Sequence, residues 1–77
     1  MARIIQDPDM LVWEIYAASG APGSRDPAKI VFHCLTDMTR RARFLAREGD
    51  RSDVERDLVR LSDSELRALL EASQPLS

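Results

Sequence analysis

The fold is decided by the stretch Lys29-Ile-Val-Phe-His-Cys-Leu35, which has the clearest strand pattern in the chain. Successive side chains of a strand point to opposite faces of a sheet, so Ile30, Phe32 and Cys34 share one face. The opposite face carries Lys29, Val31, His33 and Leu35. The stretch therefore predicts a β-strand with one strongly apolar face.

A β-hairpin is predicted before this strand. Arg3–Gln6 is short and β-branched, and Met10–Ala17 alternates with Trp13 on its apolar face. The turn residues Asp7-Pro-Asp9 lie between them. Met10 stands where glycine would be easiest if the turn closes with a left-handed residue, a local conflict of roughly 1 kcal/mol.

Two structures compete for the segment after the clear strand. Arg40–Leu45 fits a fourth strand with Ala42 and Phe44 pointing inward. Leu35, Met38, Ala42 and Leu45 also match helical spacing, with Gly49 as a terminator. We favour the strand, because it completes a four-stranded meander and hides the inner face of its neighbour.

From Arg51 onward, the apolar residues recur with the spacing of a helix. Ser52-Asp-Val-Glu55 and Ser62-Asp-Ser-Glu65 both have the spacing of a capping box, which marks the start of a helix. Two boxes ten residues apart predict two short helices with a bend between them. Leucines then recur at helical spacing, and Pro75 forbids continuation of the second helix.

These patterns predict a single α+β domain over residues 1–77. A β-rich part (1–45) with three or four antiparallel strands in meander order comes first, followed by a connection (46–51), two short helices (52–73) and a tail (74–77). The leucine stripes of the helices should pack on the sheet face that bears Trp13, Ile30 and Phe32. A chain of 77 residues buries only about 60% of its unfolded surface, so a second domain is excluded.

Composition excludes several functions. The 11 basic and 13 acidic residues give a net charge of −2, which provides no overall attraction to nucleic acid or anionic membrane.

The single cysteine, Cys34, excludes an internal disulfide and a thiolate-rich zinc site. His33 and Cys34 are adjacent on a strand and point to opposite faces, so they cannot form a local catalytic or metal-binding pair. The carboxylates near the helix starts are explained by capping. We expect no catalytic residues, no cofactor and no metal.

The sequence also bears on location. The longest apolar run, Met10–Trp13, is too short to span a membrane. The N-terminal residues reach Asp7 before any apolar stretch, so we expect no signal peptide. The expected compartment is the cytoplasm or the cytoplasmic face of a membrane complex, with peripheral attachment through a partner as one possibility.

The loop Ser19–Pro27 contains the glycine-rich run Gly20-Ala-Pro-Gly23. A phosphate-binding loop needs backbone N–H groups that lead into a helix. Pro22 and Pro27 each remove one donor, and a strand pattern follows. The run is therefore interpreted as a connecting loop.

The sheet face opposite Trp13 carries Val12, Tyr16 and Val31. A single layer of helices cannot cover both faces of a sheet, and an exposed apolar patch commonly marks a contact surface. These residues predict a docking face with Arg41 and Arg43 at its rim. The chain is accordingly interpreted as a non-catalytic accessory or structural subunit that binds other proteins within a larger assembly.

One charge cluster supports an alternative function. Arg40, Arg41, Arg43 and Arg47 occur within a short segment that contains no acid. Clustered arginines can neutralise phosphates, which favours a small nucleic-acid-binding or regulatory protein. The stacking aromatics of a single-strand binder are missing, however, and a solvated strand face paired with acidic neighbours explains the same cluster.

Three segments resemble short proteins of GC-rich bacteria. They are Trp13-Glu-Ile-Tyr16, Ile30-Val-Phe32 with Arg40-Arg-x-Arg43 after it, and Leu61-Ser-Asp-x-Glu-Leu66. The resemblance implies a bacterial protein and carries no activity with it.

Overall fold

A computed structural model describes residues 2–19 and 27–76. The elements are β1 (Arg3–Gln6), β2 (Val12–Ala18), β3 (Lys29–Cys34), β4 (Arg43–Ala46), α1 (Arg51–Arg60), α2 (Asp63–Ala72) and β5 (Gln74–Pro75). All neighbouring strands are antiparallel, and the sheet order is β1-β2-β3-β4-β5. The predicted α+β meander followed by two helices is confirmed. The short β5 is a fifth strand, in a segment that the sequence analysis had assigned to the tail.

The β1–β2 hairpin closes as the turn residues predict. The Met10 N–H donates to the Asp7 carbonyl at 3.0 Å, and Met10 has a φ of 69°. A turn followed by a left-handed residue is a common hairpin connection, because its twist matches that of the strands. The predicted conflict at Met10 is therefore real, and its exposed side chain does not compensate by packing.

The helices pack on one face of the sheet, which we call the covered face. Trp13 lies opposite Cys34, and Ile15 lies opposite Phe32. Their side chains form one buried cluster with residues from both helices, namely Val54 and Leu58 of α1 and Leu66 and Leu70 of α2. Each large apolar side chain fully buried in this way contributes about 1.5–3 kcal/mol. The predicted contact between the leucine stripes and the face bearing Trp13, Ile30 and Phe32 is confirmed.

The segment before α1 is a strand, as favoured, but its alternate side chains point to the opposite faces from those predicted. Arg43 lies opposite Phe32 on the covered face, and Phe44 lies opposite Val31 on the other face. The reversal brings Leu45, not Phe44, against the core. It is possible because the Arg43 guanidinium has partners there: Nε donates to the Ser73 hydroxyl at 2.8 Å and Nη2 donates to the Ser73 carbonyl.

A second arginine on the covered face binds the other helix. The Nη1 group of Arg3 donates to the carbonyl oxygens of Leu58 and Leu61, at 2.7 and 2.8 Å. Its Nη2 group pairs with Asp63 at 2.8 Å. The last carbonyls of a helix have no partner within the helix, so Arg3 satisfies two of them and ties the α1–α2 junction to β1.

The start of α1 differs from the prediction. The N-cap is Asp50, whose side chain accepts from the Asp53 N–H at 3.0 Å, and Asp53 accepts in return from the Asp50 N–H. Gly49 precedes it with a φ of 97°, and a Cβ there would lie 2.7 Å from Asp53 Oδ2. Aspartate caps as well as serine does, so the N-cap is Asp50, two residues before the predicted cap Ser52, and the helix begins at Arg51. The capping box at the start of α2, Ser62 with Glu65, is confirmed.

The two alternative caps of α1 can be separated by substitution. Asp50→Ala removes the side chain that satisfies an N–H of the first turn, and we expect a loss of about 1 kcal/mol in the free energy of unfolding. Ser52→Ala changes a residue inside the first turn and should cost much less. Urea unfolding of both variants measures the difference. A larger loss for Ser52→Ala than for Asp50→Ala would contradict the observed cap.

Candidate functional site

The face of the sheet turned away from the helices, which we call the open face, collects apolar side chains from four strands. Tyr16, Val31 and Phe44 lie side by side in one row across β2, β3 and β4. The residues of this face include Ile4, Val12, Glu14, Tyr16, Lys29, Val31, His33, Leu35 and Phe44. It therefore contains all three apolar residues that the sequence assigned to a docking face.

Exposure on the open face is uneven. Ile4 is 59% exposed, Leu35 43% and Tyr16 37%, whereas Val31 is only 6% exposed. Val31 lies between Tyr16 and Phe44 on the neighbouring strands, and these larger side chains shield it. The row thus presents a broad apolar surface whose middle is already dehydrated. Large exposed apolar groups gathered in this way are typical of contact surfaces.

Few charged groups interrupt the open face. The Lys29 ammonium lies 5.6 Å from the centre of the Phe44 ring, a cation–π arrangement that orders both side chains. Glu14 lies directly opposite His33 on the neighbouring strand. His33 and Cys34 point to opposite faces as predicted, and Cys34 is a buried free thiol.

The expected arginine rim does not lie on this face. Arg43 points to the helix side and binds Ser73, and Arg41 lines a groove on that same side. Arg40 pairs with Asp37 at 3.5 Å, and Arg47 pairs with Asp57 of α1 at 3.6 Å. The basic cluster of the sequence is therefore divided among different partners in the structure.

A groove of about 660 Å³ lies on the helix side of the sheet, between the β1–β2 turn, the segment before β4 and α2. Its apolar lining includes Trp13, Leu70 and Pro75. Its charged lining consists of Asp7, Asp9, Arg40, Arg41, Arg43, Arg67 and Glu71. Sequence reasoning missed this groove, because it joins segments that are far apart in the chain.

Asp7 organises one wall of the groove. Its Oδ1 accepts from the N–H groups of Asp9 and Leu11, both at 2.9 Å, and its Oδ2 accepts from Trp13 Nε1 at 2.9 Å. Burial raises the pKa of Asp7. The hydrogen bond from the Trp13 indole, the two backbone hydrogen bonds and the nearby charge of Arg40 lower it by more than burial raises it, so the pKa of Asp7 lies below its usual value. The ionised carboxylate therefore fixes both the turn and the indole.

Asp37 similarly organises the turn before β4. Its Oδ1 accepts from the Thr39 hydroxyl at 2.6 Å and from the Thr39 N–H at 3.0 Å. These bonds, together with Arg40, hold the pKa of Asp37 below its ordinary value. The turn delivers Arg40 and Arg41 to the groove in a defined position.

The part of the chain that the structure describes also bears on metal binding and membrane crossing. No group of three or more His, Cys, Asp or Glu side chains there could hold a metal ion. None of the helices in residues 2–19 and 27–76 is both long and apolar enough to cross a membrane. The run Gly20–Gly23, considered above for phosphate, lies outside the described residues.

Comparison with known proteins gave no relative. The chain matches no model of a protein family, no curated protein and no solved structure. The interpretation of the two surfaces therefore depends on their geometry and chemistry.

The Asp7 network predicts a pH dependence of stability. Because the pKa of Asp7 is lower in the folded chain than in the unfolded one, its stabilising effect is present above the unfolded pKa and is lost as the pH falls through the folded pKa. We expect the Tm of the parent to fall more steeply than that of Asp7→Asn as the pH drops below about 5. Thermal melts followed by circular dichroism measure this.

Asp9→Asn is the matched control, since the Asp9 carboxylate accepts no hydrogen bond from the described residues. The Tm of Asp9→Asn should fall with pH as steeply as the Tm of the parent does over the same pH range. Parallel curves for the parent and Asp7→Asn would show that the Asp7 carboxylate does not support the turn.

Proposed function

We propose that this chain is a non-catalytic accessory or structural subunit that binds another protein through the open face, within a larger assembly in the cytoplasm. The observation that carries the proposal is the row Tyr16–Val31–Phe44, flanked by the exposed side chains of Ile4 and Leu35. Protein interfaces favour aromatic residues around a dehydrated apolar centre.

The chemistry of the open face limits the kind of partner that fits it. Glu14 and His33 lie opposite each other between the row Tyr16–Val31–Phe44 and the pair Val12 and Leu35. A partner that covers both apolar areas also covers these two polar groups, and an unpaired buried charge is costly. The proposed partner surface is therefore apolar at its centre and supplies a hydrogen-bond donor to Glu14.

The nucleic-acid alternative has less support. Arg43 and Arg47 of the basic cluster are engaged by Ser73 and Asp57. A phosphate backbone would have to displace these contacts, and it would also meet Asp57 beside Arg47 and Glu71 in the groove that Arg43 lines. A single-strand site would also need stacking aromatics, whereas Tyr16 and Phe44 lie on the face away from Arg43.

Site-specific photo-crosslinking tests the proposal. A photoreactive phenylalanine analogue replaces Tyr16 on the open face or, as a control, Val59, which is 61% exposed on α1. In cells of the source organism, the probe at position 16 should capture one protein species and the probe at position 59 should not. Crosslinks only to a second copy of this chain, only to nucleic acid, or equally from both positions would contradict the proposal.

The captured partner allows the energetic role of Tyr16 to be measured. Tyr16→Ala should weaken binding by at least about thirtyfold, the effect of a hot-spot residue, with Val59→Ala as control. The Tm of the free Tyr16→Ala variant should change little, because the side chain is partly exposed in the unbound chain. Unchanged affinity for the partner would contradict the role of Tyr16 as a hot-spot residue.

A further inference from the structure

The groove on the helix side is large enough to bind a ligand of its own. Its volume of about 660 Å³ lies within the range of about 300–1,000 Å³ that is usual for small-molecule and short-peptide sites. It is lined by Trp13, a covered-face residue, and by residues of α2, so it is separate from the open face. A ligand in this groove would leave the open face free, so its binding is independent of the proposed function.

Four guanidinium groups line this groove, and they come from two separate segments. Arg40, Arg41 and Arg43 precede or begin β4, and Arg67 belongs to α2. Arg43 is held by Ser73, and the Nε of Arg67 donates to the Gln6 carbonyl at 2.7 Å. These contacts hold two of the guanidinium groups in place, so that Arg43 and Arg67 shape the groove and add positive charge to it.

Arg41 is the residue with unused binding capacity. It makes no ion pair or hydrogen bond with the residues that the structure describes, and it is exposed. The nearby Asp7 carboxylate cannot neutralise it without losing contacts, because both its oxygens already accept from Trp13, Leu11 and Asp9. The planar guanidinium of arginine presents donors that match a carboxylate in a bidentate pair.

The rest of the lining points to a peptide. The exposed residues Pro8, Ala68 and Pro75 provide apolar surface beside the arginines, whereas Asp9 and Glu71 place negative charge at the same groove. A nucleic-acid strand carries a phosphate at every nucleotide and would meet these carboxylates. A peptide can present one carboxylate to Arg41 and an apolar side chain to this apolar surface.

We propose that this groove binds a short acidic segment of a protein, in which a carboxylate side chain stands next to an apolar one. Arg41 pairs with the carboxylate, and Arg40 adds positive charge beside it. The apolar neighbour of the carboxylate packs against the exposed apolar residues of the lining, Pro8, Ala68 and Pro75. The structural arginines Arg43 and Arg67 shape the groove and contribute to its positive potential.

The test uses a short acetylated peptide of alternating aspartate and leucine, titrated into the ¹⁵N-labelled chain. The indole N–H of Trp13, the only tryptophan, is a reporter in the groove wall, and the Ala68 amide reports from α2. We expect saturable shifts at both signals. The matching peptide of alternating asparagine and leucine should bind about tenfold more weakly, because it lacks the charge that strengthens the bond to Arg41.

Variants and a competing ligand complete the test. Arg41→Gln should weaken binding of the acidic peptide about tenfold without changing the Tm, whereas Arg47→Gln, outside the groove, should bind like the parent. Equal affinity for the two peptides, equal effects of both variants, or the absence of saturable shifts would overturn the proposal. Tighter binding of a short oligothymidylate than of the acidic peptide would overturn it in favour of a nucleic-acid site. None of these outcomes bears on the open face.

Discussion

The contact between the helix pair and one face of the sheet is the constraint on which the rest of the structure depends. Ile15, Phe32, Leu58 and Leu66 are almost completely buried in that contact. In the part of the chain that the structure describes, both helices lie on this side of the sheet, so Ile4, Tyr16 and Leu35 on the opposite face stay in contact with solvent. The exposed surface is thus a consequence of how the core is built.

Two arginines hold the helices in this position. Arg3 binds the carboxyl end of α1, and Arg43 binds Ser73 at the carboxyl end of α2. Each guanidinium satisfies carbonyl oxygens that a helix leaves unpaired, and each comes from a strand on the covered face. Because Arg43 is committed to Ser73, the neighbouring Phe44 is turned to the open face. The same contact therefore completes the core and builds the apolar row.

Local patterns were sufficient for much of the fold and insufficient for the site. The alternation around Trp13 and Phe32 predicted β2 and β3, since each strand has one face that is clearly more apolar. The phase of β4 was not predictable, because Phe44 and Leu45 are adjacent and the choice depends on Ser73, which is distant in the chain. The strand β5 has only two residues and includes Pro75, which is tolerated at a sheet edge but gives no strand signal.

The central claim is that the open face is covered in the assembled protein, and hydroxyl-radical footprinting tests it most directly. The modification rates of Tyr16, Phe44 and Leu35 are measured for the isolated chain and for the assembly isolated from its own cells. Val59 on α1 serves as the internal reference. The account predicts strong protection of the three open-face residues in the assembly, with the rate of Val59 unchanged. Equal rates for Tyr16 and Phe44 in both samples would contradict it.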